Sequence, residues 1–389
     1  MKKWFLIANV IVFLGVASIH YLQQWTGYPL FSNLFSSHTA HTSLKRSSSL
    51  LQRFVEKKLS TSDYQVRLET DSSLLSSHIS IKKLTVSDKK GVFLIVDNIK
   101  ADWERLSLFQ KKLHISSLTA EKIELKRQPE KRFSWGTDNS LLLELPSKLP
   151  LTIAIDALTV PQIHFAQKVF AFDSTVSLQG KIFLSSHAID TAINLHRTGS
   201  NDQVQFLCQL QSKTDYLNIN INGHEEKNGI LTHLLQIPHN IPLDFSIKGG
   251  GPYDGLNIAL LLYSQQQQFL TGSLTTQKNN QGQLKLNCNL HGQPAPLFDP
   301  LYQAYFTPQI VSDLQGSFSK DGGFVFDNFK IQSPVLDIFA RGKILKSGFL
   351  RQLYLTAHVA DRDGHGLNIP LNNDNTGHFH TLSLNVDYG

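Results

Sequence analysis

The feature that most constrains this chain is an apolar and polar alternation with a period of two residues. Leu217, Ile219 and Ile221 alternate with Asn218, Asn220 and Asn222, and Leu284, Leu286, Cys288 and Leu290 alternate with Lys285, Asn287 and Asn289. The same rhythm recurs at Ile153/Ile155, Ile163/Phe165, Val176/Leu178, Ile193/Leu195, Val204/Phe206/Cys208/Leu210, Ile258/Leu260/Leu262 and Phe324/Phe326. Successive side chains of a strand leave on opposite faces, so each run predicts a strand with one apolar and one polar side. Asn, Gly and Asp clusters at Asn222-Gly223, at 279–282 and at 321–323 read as the turns between them. The run Gly249-Gly250-Gly251 before Pro252 also reads as a turn, because no helix follows it to complete a phosphate-binding loop.

On this rhythm the chain holds about 25 strands, too many for a flat antiparallel sheet to leave both faces bare. Ordinary sandwiches and a long curled groove with an apolar concave side both satisfy the periodicity. Two short helices interrupt it. Leu50, Leu51, Phe54, Val55 and Leu59 recur at three- and four-residue spacing and predict a capping helix, and a second is expected within Gly229 to Gln236, before Pro238 and Pro242.

The N-terminus behaves differently. Lys2 and Lys3 precede an apolar run that includes Trp4, Phe5, Leu6, Ile7, Ile11, Val12, Phe13 and Leu14. A helix from Trp4 to Leu22 at about 1.5 Å per residue spans a hydrocarbon core of roughly 30 Å. The lysines hold its start on the cytoplasmic side, and Tyr21 and Trp25 stand where interfacial aromatics belong. A cleaved signal peptide ending near Ala17 is the competing reading. We expect a retained single-pass inner-membrane anchor over 1–25, a polar linker over 26–49 and a β-rich periplasmic body over 50–389.

Net charge is +6 and the lysines are scattered, which argues against nucleic acid as a partner; the weak basic bias reads as ordinary solvated faces, with contact to anionic lipid headgroups as the alternative. Cys208 and Cys288, the only cysteines, lie in strand patterns without metal-like spacing; an exported location permits a disulfide between them, and free thiols are the expectation. HExxH, GxSxG and GxxxxGK[ST] are absent, so no enzyme, cofactor or catalytic residue is expected. Asp361, Asp363 and His365 could approach a cation, but so few ligands between glycines read as a solvated loop, and no metal site is assigned.

Several segments carry a resemblance. His78 to Leu94, with Leu84-Thr85-Val86-Ser87-Asp88 and Gly91, is followed by Ala101-Asp102-Trp103 and then by Leu113 to Pro129, which ends in Arg127-Gln128-Pro129. In that order they resemble the N-terminal repeat of the TamB family, the AsmA-like translocation and assembly module proteins of Gram-negative bacteria. Leu145 to Ile153 is similar to the family's proline-bounded entry into the next strands. The stretch Asn222 to Gly255, with Glu225, Gly229, Pro238, Pro242 and Gly251-Pro252, is similar to a recurring segment of alphaproteobacterial members. The resemblance weakens after Asp361.

The resemblance implies a mainly β fold: an N-terminal transmembrane helix, then a long curled antiparallel β-groove with a short capping helix, here the N-terminal part of a longer architecture. It implies phospholipid transfer toward the outer membrane as the function, with the inner membrane and phospholipid as partners. Its alternative is a scaffold for outer-membrane protein assembly or secretion with a TamA-like barrel. An acyl chain costs about 0.8 kcal/mol per exposed methylene, so carrying it through water needs a continuous apolar surface rather than catalytic groups. On that reading Ile153, Ile155, Val204, Phe206, Leu217, Ile219, Ile221, Ile258, Leu260, Leu284, Leu286, Phe324 and Phe326 are the groove candidates. Trp103 is expected to seal the end of the core beside Leu106, Leu108 and Phe109.

Overall fold

A computed structural model describes residues 52–129, 152–360 and 367–389, a few loop positions within those spans aside. The expected anchor and linker, the candidate loop at Asp361, Asp363 and His365, and most of the Leu145 to Ile153 segment lie outside the described residues. No helix among the described residues is long and apolar enough to cross a membrane. The protein is mainly β, with twenty strands among the described residues where the periodicity suggested about 25. The described chain forms two compact units that divide between Lys213 and Thr214.

In the first unit β1 (Gln65–Thr70), β2 (His78–Asp88), β3 (Gly91–Trp103), β4 (Lys112–Leu125), β5 (Thr152–Phe165), β6 (Ser174–Leu184), β7 (Ala188–Arg197) and β8 (Gln203–Gln211) each pair with the next in sequence. One pairing corrects the all-antiparallel expectation: β4 and β5 run parallel, from Lys112 opposite Thr152 to Leu125 opposite Phe165. Parallel neighbours require a crossover of a dozen residues or more, and residues 126–151 supply that length.

Period two does not persist through this unit either. Apolar positions step by three at Ile81/Leu84, Val96/Ile99, Ile115/Leu118, Ala120/Ile123, Ile155/Leu158 and Val160/Ile163. A three-residue step would throw the next apolar side chain to the wrong face of a regular strand. The ladders break at those steps: Lys82 and Asn98 drop out of the β2–β3 pairing, with Asn98 at φ 50°, and β5 shifts register twice against β6. The resulting irregularities keep Ile81 opposite Ile99, Leu84 opposite Val96 and Ile163 opposite Val176.

The edge strand β1 is covered. Residues 52, 53 and 55–57 are helical, and Glu56 Oε1 accepts from the Leu68 N–H at 2.7 Å while Gln52 Nε2 donates to the Leu68 carbonyl at 2.5 Å. Satisfying an exposed strand's backbone groups removes a template for unwanted pairing. At one end of the β2–β3 hairpin, Arg127 forks onto both oxygens of the buried Asp88 carboxylate, at 2.9 and 2.5 Å, and donates to the Gly91 carbonyl at 2.6 Å. At the other end the Trp103 indole N–H donates to the Ser76 carbonyl at 2.6 Å. Trp103 is half-buried and does not seal a core: its expected neighbours Leu106 and Phe109 point outward, 77% and 87% exposed.

The second unit is an antiparallel meander of β9 (Tyr216–Glu225), β10 (Leu243–Pro252), β11 (Asn257–Ser264), β12 (Gln267–Lys278), β13 (Leu284–Gly292), β14 (Ile310–Phe318), β15 (Phe324–Gln332), β16 (Leu336–Ile344) and β17 (Leu350–Ala360). A small hairpin, β18 (Leu367–Pro370) with β19 (Thr376–Phe379), then leads to β20 (Thr381–Tyr388), which pairs with β17. Two expected turns lie inside strands. Asn222-Gly223 belongs to β9, and the triple glycine belongs to β10, where Gly249 faces Ile219 on one side and Ile258 on the other. A Cβ on Gly249, at φ +156°, would lie 2.0 Å from the Asn257 carbonyl oxygen, so glycine there permits close strand approach rather than chain reversal.

Candidate functional site: the apolar face of the second sheet

Starting from β9, the strand registers carry one apolar row across ten strands. Ile219 faces Gly249, which faces Ile258, and the row continues through Leu274, Cys288, Leu314, Phe329, Ala340 and Leu355 to Val386 of β20. At about 4.8 Å between strands this row is roughly 43 Å long. The neighbouring row on the opposite face is largely polar: Asn220, Lys248, Ala259, Ser273, Asn289, Asp313, Lys330, Phe339, Thr356 and Asn385. On that face Asn222 donates to the Asn220 side-chain oxygen at 2.8 Å and His224 meets Asp244 at 2.7 Å.

Exposure along the apolar face is uneven, with Leu314 of β14 and Ala340 of β16 buried at 8% and 3%. Leu217, Ile219 and Ile221 of β9 are buried, at 1%, 3% and 9%, and so are Ile258 and Leu286. Leu260, Leu284, Phe324 and Phe326 are half-buried. Leu382, Leu384 and Tyr388 of β20 reach 40%, 53% and 58%. The β13–β14 connection contributes to the cover: Phe298, Tyr305 and Phe306 pack with Leu270, Leu290, Ile310 and Leu336 in one cluster, against which Leu260, Leu262, Ile331 and Ile338 also lie. Residues of strands several positions apart share that cluster because the sheet curls.

The groove candidates separate into two sets. Leu217, Ile219, Ile221, Ile258, Leu260, Leu284, Leu286, Phe324 and Phe326 belong to strands of this sheet, whereas Ile153, Ile155, Val204 and Phe206 belong to the first unit. There Ile153 is buried in a row with Leu184, Ile189 and Leu210, and Val204 pairs with Leu195. Sequence reading missed the far half of the second sheet's face. In β15 the apolar step from Phe326 to Phe329 is three residues, taken up by a register break, so strict period-two counting stops at Phe326.

The β9–β10 connection closes one end. Ile230–Leu234 forms the expected short helix, and the Glu225 carboxylate, 5% exposed, accepts from the N–H groups of Leu231 at 2.6 Å and Thr232 at 3.2 Å. The Gly229 that follows it in the sequence has a physical reason: a Cβ there would lie 2.2 Å from a Glu225 oxygen.

Polar chemistry is sparse. Among the described residues no group of three His, Cys, Asp or Glu is placed to hold a metal ion. Both cysteines are free; burial pushes the Cys208 thiol up to about 11 and raises Cys288 as well, so neither is a ready nucleophile at neutral pH. A polar recess beside His164 and Thr175 is lined by Arg197, but the Arg197 guanidinium is already paired with Asp202 at 2.7 Å. His114 bridges Glu104 at 2.9 Å and Asp156 at 2.8 Å, and these two carboxylates raise its pKa above the ordinary 6.5. Comparison with protein-family models, with curated proteins and with solved structures returns no match for this chain.

Proposed function

We propose that this protein handles phospholipid acyl chains on the apolar face of its second sheet, as an inner-membrane-anchored member of the TamB-like group with its body in the periplasm. The observation that carries the reading is the ten-strand row from Ile219 to Val386. Such a row makes one side of the sheet apolar from strand to strand with no hydrogen-bonding demand, its buried members Ile219, Ile258, Leu274, Leu314 and Ala340 backing the more exposed positions beside them, and the largely polar opposite face suits water. Exposure directs the contact toward the half-buried and exposed positions Leu284, Phe324, Phe326, Leu382 and Leu384 rather than toward the buried β9. The order of the Asp88, Trp103 and Arg127 segments supports the family reading, and the apolar N-terminal run supports the location.

The test is photo-crosslinking of full-length protein in its membrane, with a photoreactive residue at 326 or 384 and at Asn220 or Asn385 as controls. Phospholipid adducts at the first pair alone are expected. Equal labelling at both pairs, or none at either, would remove the lipid reading and leave the face as an ordinary core.

A second reading has its own observation. Among the described residues β20 pairs only with β17, and its apolar side chains stay exposed, which suits a scaffold that accepts an incoming strand by β-augmentation. Proline at Ser383 or Asn385 should abolish strand capture there while leaving lipid adducts at 326 unchanged.

A further inference from the structure

The connection between β3 and β4 is a six-residue 3₁₀-helix, Arg105–Gln110, and it presents the two most exposed large apolar side chains among the described residues, Leu106 at 77% and Phe109 at 87%. Three residues make one 3₁₀ turn, so positions 106 and 109 leave on the same side. Cations flank them: Arg105 and Lys111 are exposed and Lys112 is half-buried. The local acid, Glu104, is held against His114 at 2.9 Å, and Lys111 occupies a left-handed turn that closes the segment. The turn is braced, since the buried Ser107 hydroxyl lies 2.5 and 2.9 Å from the carbonyl oxygens of Glu104 and Lys112 and shares its one proton between them. A rigid tip that aims a leucine and a phenylalanine at solvent between positive charges lacks the burial that would make it part of a core.

We propose that this tip docks on an anionic bilayer surface, with Leu106 and Phe109 inserted at the headgroup–acyl boundary and Arg105, Lys111 and Lys112 on lipid phosphates. Apolar insertion and cation–headgroup attraction are the two terms that bind interfacial segments, and both are present within eight consecutive residues, 105–112. The inference stands on the loop alone and does not need acyl transfer along the second sheet.

The test uses the full chain in vesicles of phosphatidylethanolamine and phosphatidylglycerol, with a photoreactive residue at 106 or 109. Controls sit at Lys89 and Lys126, exposed at the other end of β3 and β4, about 45 Å away for a fourteen-residue strand. Since the whole chain is present in every sample, tethering by the N-terminal run is common to all of them. Lipid adducts at 106 and 109 but not at the controls are expected. Charge reversal by Arg105→Glu with Lys111→Glu should lower the yield at least about tenfold, since each cation near an anionic surface contributes roughly fivefold. The thermal transition serves as the folding check, and if the double variant shifts it the comparison is made with Lys111→Glu alone, whose side chain is exposed. Adducts to polypeptide, yields equal to the controls, or yields indifferent to charge reversal and to replacement of phosphatidylglycerol by phosphatidylcholine would overturn the proposal. Adducts at 384 without any at 106 or 109 would sink this inference and spare the transport reading, and the reverse pattern would do the opposite.

Discussion

Strands β9 and β20 have nearly the same pattern and opposite surroundings. Each alternates aliphatic residues with polar ones, Leu217-Asn218-Ile219-Asn220-Ile221 in one and Leu382-Ser383-Leu384-Asn385-Val386 in the other. Yet Leu217 and Ile219 are 1% and 3% exposed, whereas Leu382 and Leu384 are 40% and 53% exposed. Alternation states which side of a strand is apolar; it carries no information about whether anything lies on that side. The apolar side of β9 is covered, and that of β20 is not covered among the described residues. On the proposed reading a lipid-handling surface is both apolar and reachable, and the two conditions coincide at the β20 end of the row.

The comparison breaks most directly by charge. Ile219→Asp should bury an unpaired carboxylate and cost about 4 kcal/mol or more, while Leu384→Asp should cost about 0.5 kcal/mol, both read by urea denaturation. Equal costs would mean that the two faces are covered alike.

A smaller effect is expected at the connection that closes the β9 end. Glu225→Ala leaves the Leu231 and Thr232 N–H groups without their acceptor and should cost about 2 kcal/mol, with faster amide exchange at those two positions. Gly229→Ala should destabilise the parent protein and cost less in the Glu225→Ala background, where the collisions with the carboxylate at 2.2 and 2.4 Å are gone and the one with the Glu225 Cβ at 2.8 Å remains. Additive costs would show that Gly229 is needed for another reason.

Trp103→Phe should cost about 1 kcal/mol for the lost bond to the Ser76 carbonyl, since the half-buried ring leaves little cavity behind. A loss near 4 kcal/mol would restore the sealed-core reading of that tryptophan.

The least effect is a pH dependence in the first unit. Glu104 and Asp156 raise the pKa of His114 above 6.5, so the protonated form is favoured by folding. That contribution is fully present below the unfolded value near 6.5 and is lost as pH rises through the higher folded value. His114→Gln should flatten the stability-against-pH curve in that window, and an unchanged curve would place the dependence elsewhere.

By itself the sequence determined the strands, their apolar sides and the short helix at Ile230–Leu234, because side-chain periodicity and glycine, proline and asparagine placement are local properties. Even there it erred where local signals have two readings: Asn222-Gly223 and the glycine triplet resemble turns, but backbone approach between neighbouring strands is what requires glycine at 249. The parallel β4/β5 pair, the three-residue steps absorbed by ladder breaks, and the outward aim of Leu106 and Phe109 were decided only in the tertiary structure. Each depends on which distant segment lies alongside, and two strands with the same alternation can bury one apolar face and leave the other to solvent.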